Sequence, residues 1–270
     1  MTITAPDAPV GVATAAVSTG SRLTRVLGFA SLVGVAVLLV FAFVFTEADL
    51  VMQDAVRLLY VHVPMAFMNY LGFVVCGVGS AMVLWKRSRW WDVVAHAGAE
   101  VGVVFGVLML ATGVIWGRPT WNTWWEWGDA RTMTALMLLL IYVGYLAYRS
   151  TVSDAQTRAR RSAIIGVLGT LMIPIVRQSV TWWQERTLHQ ESSITDGNLE
   201  DLTLFTLFLG TVVFSIIFAW LMVHRFRIGW LEYQRDTVGL EAALAERRAQ
   251  RAADVDDAVS HPGLTPKENA

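Results

Sequence analysis

The chain has 270 residues, of which 55% are hydrophobic and 16% charged, and its mean hydropathy is +0.49; soluble domains carry roughly 25% charge, so this reads as an integral membrane protein. A formal net charge of -1, from 21 Lys and Arg against 22 Asp and Glu, gives no global basic field, and nucleic acid is not expected as a partner. The one cysteine, Cys76, excludes an internal disulfide, a CxxC redox pair, a four-thiolate iron–sulfur cluster and a CxxCH attachment site.

A helix needs about 20 apolar residues to cross ~30 Å of hydrocarbon, and six such stretches separate at charged or Trp-rich breaks. The expected fold is therefore all-α, with six transmembrane helices. Residues 1–26 form an N-terminal segment, mostly Ala, Thr and Val, without a convincing cleavage site, so span one (27–46) is expected to remain as an anchor. Leu50 to Leu59, with Val51, Ala55 and Leu59 on one stripe, is expected to be a short in-plane helix. It leads into Tyr60-Val-His62-Val-Pro64. Pro64 lacks an N–H and has a fixed φ, which suits the first turn of span two (63–84) and puts His62 at its mouth. Cys76 lies inside that span as an apolar thiol.

Span three (95–115) carries Gly98, Gly102 and Gly106, a small-residue stripe that permits close helix approach. Glu100 lies near one end of this span and is expected in packing or interfacial contact, and His96 is expected to be an ordinary interfacial histidine. A run from Trp116 to Thr132 follows, with Trp116, Gly117, Trp121, Trp124, Trp125, Trp127, Asp129 and Arg131. Five of the twelve tryptophans fall here. An aromatic belt would spread them over all helix ends, whereas flat, rigid rings gathered in one loop suit a large planar apolar ligand.

Spans four (132–148) and five (162–180) come next; Pro174 is expected to kink span five and tilt the segment bearing His189 in Trp182-Trp183-Gln-Glu-Arg-Thr-Leu-His189-Gln190. Span six (203–223) ends beside His224, again an interfacial histidine. Residues 226–270 are expected to be a tail: a short Glu/Arg/Ala/Leu helix over Glu241 to Arg251 that fades into disorder, with His261, Pro262 and Pro266 beyond it. Residues 27–225 then form the transmembrane domain, with the Trp-rich loop at 116–132.

Sixteen of the Lys and Arg residues fall on the side that holds both termini and five on the other, namely Arg57, Arg118, Arg131, Arg177 and Arg186. Positive charge collects in cytoplasmic loops, so both termini are expected in the cytoplasm, in a multi-pass protein of the cytoplasmic membrane, with the Trp loop, His62 and His189 on the outer face. Haem is a planar apolar ligand whose iron takes axial histidines. Two outward imidazoles beside a Trp platform are a coherent set for it. The five outer arginines are candidates for its propionates, with ordinary anchoring preferred for Arg177, and Asp129 and Glu126 are candidates to orient a ring N–H or an arginine.

The run Trp116 to Thr132 resembles the WWD signature of haem-handling proteins in cytochrome c maturation system I. With Leu59-Tyr-Val-His62-Val-Pro64 and Thr187-Leu-His189-Gln190 flanking it, the chain is similar over about residues 22–225 to the six-span CcmC family, haem exporter protein C. The resemblance implies a non-enzymatic protein that holds haem b through His62 and His189 as axial ligands of the iron. The tryptophan loop would support the ring, and the haem would pass to the chaperone CcmE. The ABC transporter CcmA/CcmB and the small protein CcmD complete the implied complex. Two departures stand out: Gly128 interrupts the usual Trp-Asp, which is expected to shift Asp129 and Arg131 by one residue relative to the rings, and Thr132-Met133-Thr134 replaces Leu-Thr.

The alternative from another class is a cytochrome b-like electron-transfer protein that retains its haem. It would place paired histidines in mid-span, whereas both candidates here lie at the outer edge. A channel for haem would need a ladder of polar residues through the spans, which the sequence does not present. No P-loop or GxSxG motif points to an ATPase or a hydrolase.

Overall fold

The structure, a computed structural model, describes residues 18–49, 52–189 and 201–260. Among them the chain is helical throughout, apart from turns and one isolated bridge between Asp49 and Gln53. Seven α-helices follow in order: α1 (Arg22–Val40), α2 (Val56–Lys86), α3 (Arg89–Trp121), α4 (Ala130–Thr151), α5 (Ala155–Thr170), α6 (Met172–Trp182) and α7 (Asp201–Ser260). Six stretches among the described residues are long and apolar enough to cross a membrane, with α5 and α6 forming one of them.

Local chemistry sets the ends. Ser21 and Thr24 form a capping box at the start of α1, which satisfies donors that the first turn leaves free. A π-helical turn, Phe41–Phe45, closes it, with the Thr46 N–H and hydroxyl both donating to the Phe41 carbonyl. Asp129 and Asp154 cap α4 and α5 by accepting the backbone N–H groups of Thr132 and Thr157. The α5–α6 break falls at Leu171. Pro174 has no N–H to offer the Thr170 carbonyl, so the kink expected from the sequence is present.

The helices outrun the expected spans at nearly every end. Hydropathy measures the stretch that must lie in hydrocarbon, and polar or aromatic flanks continue the helix beyond it. Three expectations need correction as a result. Pro64 is not in a first turn, because α2 begins at Val56 and places both His62 and Pro64 in its interior. Val56 to Leu59 open α2 rather than forming a separate in-plane helix, with Leu50 and Val51 outside the described residues. Trp116 to Trp121 belong to α3, so the loop proper is residues 122–129.

Pro64 is tolerated inside α2 by a matching gap. It leaves the Tyr60 carbonyl without its helical N–H, and Gly210 of α7 presses on that carbonyl so closely that a Cβ there would sit 2.5 Å from it. The small-residue stripe of α3 packs as expected: a Cβ on Gly72 of α2 would lie 2.6 Å from the Gly102 Cα. The core built on these contacts includes Phe73 stacked on Tyr142 at 3.8 Å, and Phe105 against Phe214 and Phe218.

The residues up to Arg227 form one compact unit and those from Ile228 another. In the second unit α7 runs on to Ser260 as one helix rather than stopping near Arg251. Its Glu, Arg and Ala content favours helix, and Pro262 comes only afterwards. Residues 261–270 lie outside the described residues.

Candidate functional site: a cavity between two histidines

At the end of the first unit where α2 and α4 begin and α3 and α6 finish, the helices enclose an open cavity of about 680 Å³, its mouth included. One wall is a stripe of α2, His62, Ala66 and Tyr70, spaced by four residues so that they share a helical face. A second is the end of α3, with Met109, Gly113, Gly117 and Trp121, and the loop and α4 add Trp124, Trp125, Asp129 and Arg131. Leu188 and His189 complete the lining.

His62 is fixed by Thr112. Its Nδ1 lies 3.1 Å from the Thr112 hydroxyl oxygen, and Thr112 turns its one proton toward the Leu108 and Met109 carbonyls at 2.8 and 3.0 Å. With that proton directed to either carbonyl, the hydroxyl accepts from a protonated His62 Nδ1, and this tautomer leaves Nε2 a lone pair. Gly113 makes room for the ring, since a Cβ there would lie 3.1 Å from His62 Cε1. Trp116 stacks behind it with ring centroids 6.4 Å apart.

His189 is fixed differently. Its ring packs on Trp121 at 4.7 Å, and its Nδ1 lies 3.5 Å from Asp129 Oδ2 without a formed hydrogen bond. Asp129 is 2% exposed and also accepts the Thr132 N–H and the Leu188 N–H, each at 2.7 Å. It thus caps α4 and ties down the segment carrying His189. Burial would raise its carboxyl pKa, but the His189 ring and the N–H groups of Thr132 and Leu188 outweigh burial and hold it well below its ordinary value. The carboxylate remains charged and favours a proton on His189 Nδ1, leaving Nε2 as the donor atom.

The loop is knit by its own side chains. Arg118 donates to the Asn122 carbonyl and side chain, both at 2.9 Å, where Asn122 takes the left-handed conformation that ends α3. Gly117 lets the loop fold back, its missing Cβ lying 3.2 Å from the Thr123 carbonyl oxygen. Gly128 sits in a turn, where its N–H donates to the Glu126 carboxylate. Asp129 and Arg131 both line the cavity.

The sequence-predicted residues divide. His62, Gly117, Trp121, Trp124, Trp125, Asp129, Arg131 and His189 line the cavity. Trp116 stands behind His62 and Trp121, while Trp127 is 74% exposed and packs on Trp125. Of Arg57, Arg118, Arg131, Arg177 and Arg186, Arg131 alone is on the wall, with one Nη donating to the Val176 carbonyl at 2.9 Å. Arg57 is engaged with Asp54 and the Ala42 carbonyl, and Arg177 and Arg186 are exposed. The buried indole N–H groups of Trp116 and Trp125 have no partner among the described residues.

Thr112, Tyr70 and Met109 were not anticipated. The four-residue stripe from His62 to Tyr70 carries the signal for Tyr70, but nothing in the sequence distinguishes Thr112 from other helical threonines. His96 and His224 lie away from the cavity, His96 beside Glu100 and His224 against Thr19 and Trp220. Glu100 is held by Arg225 of α7, which bears out its packing role.

Comparison with known proteins places this architecture. The sequence profile of the family described as Heme exporter protein C, CcmC, matches residues 8–240. The chain belongs to the CcmC family. Among its relatives, Heme exporter protein C of Haemophilus influenzae is 32% identical over 214 residues, covering 78% of this chain and 86% of the relative. That of Escherichia coli K12 is 32% identical over 201 residues, 74% of this chain and 81% of the relative. That of Bradyrhizobium diazoefficiens is 35% identical over 175 residues, 64% of this chain and 65% of the relative, a little under two thirds of its length. The CcmC match spans every helix that contributes to the cavity.

Proposed function

We propose that this protein binds haem b in the cavity, with His62 and His189 as axial ligands of the iron, and presents it to the chaperone CcmE during c-type cytochrome assembly. The observation that carries this reading is the pair of imidazoles, brought from separate elements to one Trp-lined cavity, each with Nδ1 turned to a protein partner; a proton on Nδ1 leaves Nε2 as a lone-pair donor. Axial histidine ligation needs that donor atom, and an oriented Nδ1 supplies it. Trp121, Trp124 and Trp125 offer flat faces to the macrocycle. The remaining guanidinium donors of Arg131 offer polar contacts to its edge.

The sixteen-to-five distribution of Lys and Arg supports cytoplasmic termini and a cavity on the outer face of the cytoplasmic membrane. In this reading residues 27–225 are the haem-handling domain, flanked by an N-terminal segment, 1–26, and a cytoplasmic tail, 226–270. The protein acts as a carrier within a complex, and the ABC transporter CcmA/CcmB with CcmD supplies any energy used. Relatives named Heme exporter protein C support the haem assignment. An open cavity at the end of the bundle suits a ligand that is handed on more than one kept in mid-membrane for electron transfer.

The test is haem loading of co-expressed CcmE. Wild type should load it, and His62→Ala and His189→Ala should each abolish loading. Full loading of CcmE by both variants would overturn the reading.

A further inference from the structure

The two histidines have unlike partners. His62 Nδ1 faces the neutral hydroxyl of Thr112, whose single proton has the Leu108 and Met109 carbonyls of the same helix within reach. His189 Nδ1 faces a buried carboxylate that two backbone N–H groups keep in place. A carboxylate behind an imidazole raises the basicity of the ring's other nitrogen more than a hydroxyl does. The bond to the metal is correspondingly stronger on the carboxylate-backed side. The scaffolds differ as well: His62 stands inside α2, packed against Gly113 and Trp116 of α3, so its ring has a fixed resting place to return to.

We propose that Thr112 is the positioning residue of His62, and that the pairing of a hydroxyl on His62 with a carboxylate on His189 makes His62 the axial ligand that lets go first. The proposal rests on the haem-ligand reading above and adds an order to it. Release is a ligand exchange with no net redox change: the bond from iron to His62 Nε2 breaks, the lone pair returns to the ring, and the incoming donor forms the new bond. His189 stays bound on the other face, and the opened coordination position lies on the α2 side of the cavity.

Carbon monoxide is the probe, applied to the haem-loaded, dithionite-reduced protein in detergent, because it replaces one axial ligand and its stretching frequency reports on the one that remains. The CO adduct of wild type should match that of His62→Ala in absorption maximum and stretching frequency, and should differ from that of His189→Ala. Thr112→Val keeps the shape but removes the acceptor; it should accelerate replacement by CO about tenfold or more, and Thr112→Ser should restore the wild-type rate. This arm needs no haem retention by the histidine variants. A wild-type adduct that matches His189→Ala, or an unchanged rate in Thr112→Val, would overturn the order of release. Before CO is added, the six-coordinate spectrum should be lost in both histidine variants. Its survival in both would instead sink the axial-ligand reading, and this proposal with it.

Discussion

At the end of the bundle that carries the α2–α3 turn, Asp92 is 2% exposed and takes Arg149 through two contacts of 2.6 and 3.1 Å, with Arg89 at 2.7 Å. Ser162 of α5 accepts from the same Arg149, and Glu100 is held by Arg225. Charged side chains there are spent on one another and lock α3, α4, α5 and α7 together. The cavity end contains a buried aspartate of the same exposure, Asp129, but its partners are backbone N–H groups and the ring of His189, which lines the cavity. Burial alone does not separate scaffold from site. The distinction lies in whether polar groups close on each other or leave donors and acceptors pointing into shared space.

The comparison is broken most severely by removing one partner of the scaffold pair. Asp92→Ala leaves Arg149 buried without its carboxylate and should cost about 3–5 kcal/mol of stability, whereas Asp92→Leu with Arg149→Met should recover much of that loss. Denaturation in detergent checks both variants, and the haem spectrum of folded protein should not change. At the site, Asp129→Asn should weaken haem affinity about 10–100-fold, measured by haem titration, because His189 loses the charge that orients it.

The acid response sharpens the same contrast. Asp129 has a carboxyl pKa depressed below its ordinary 3.8, so its contribution is fully present above that value and is lost as pH falls through the lower, folded one. Wild type should keep its tether on Leu188 and His189 when acidified to about pH 4, and a pH titration of the haem spectrum, if it collapsed near neutrality, would contradict this. Between the two ends, the Tyr142 hydroxyl lies at 3.2 and 3.1 Å from the Phe73 and Gly166 carbonyls and 2.8 Å from Thr170 Oγ1. Tyr142→Phe should cost about 1 kcal/mol in denaturation, with no spectral effect. The smallest effect belongs to His96→Gln and His224→Gln, which should leave the haem spectrum as it is in wild type.

Much of this was legible in the sequence because membrane spans and aromatic clusters are local patterns. Six apolar stretches, the glycine stripe of α3 and the Pro174 break all follow from residues close together in the chain. The helix ends were less legible: hydropathy reports where hydrocarbon begins, not where backbone hydrogen bonding stops, so His62 and Pro64 appeared at a mouth although they lie inside α2. The Asp92–Arg149 pair joins residues 57 apart in sequence, and no local spacing announces it. Thr112 was hidden for another reason, since its role depends on where its single proton goes. Trp116 and Trp127 share the composition of the loop but not its facing, a property that the chain path alone decides.

The most direct measurement of the central claim is the pair of oxidised and dithionite-reduced absorption spectra of purified wild type beside His62→Ala and His189→Ala. The two-histidine site predicts six-coordinate haem in wild type and an altered or lost spectrum in each variant. Unchanged haem content and spectra in both would contradict it and remove His62 and His189 from the iron.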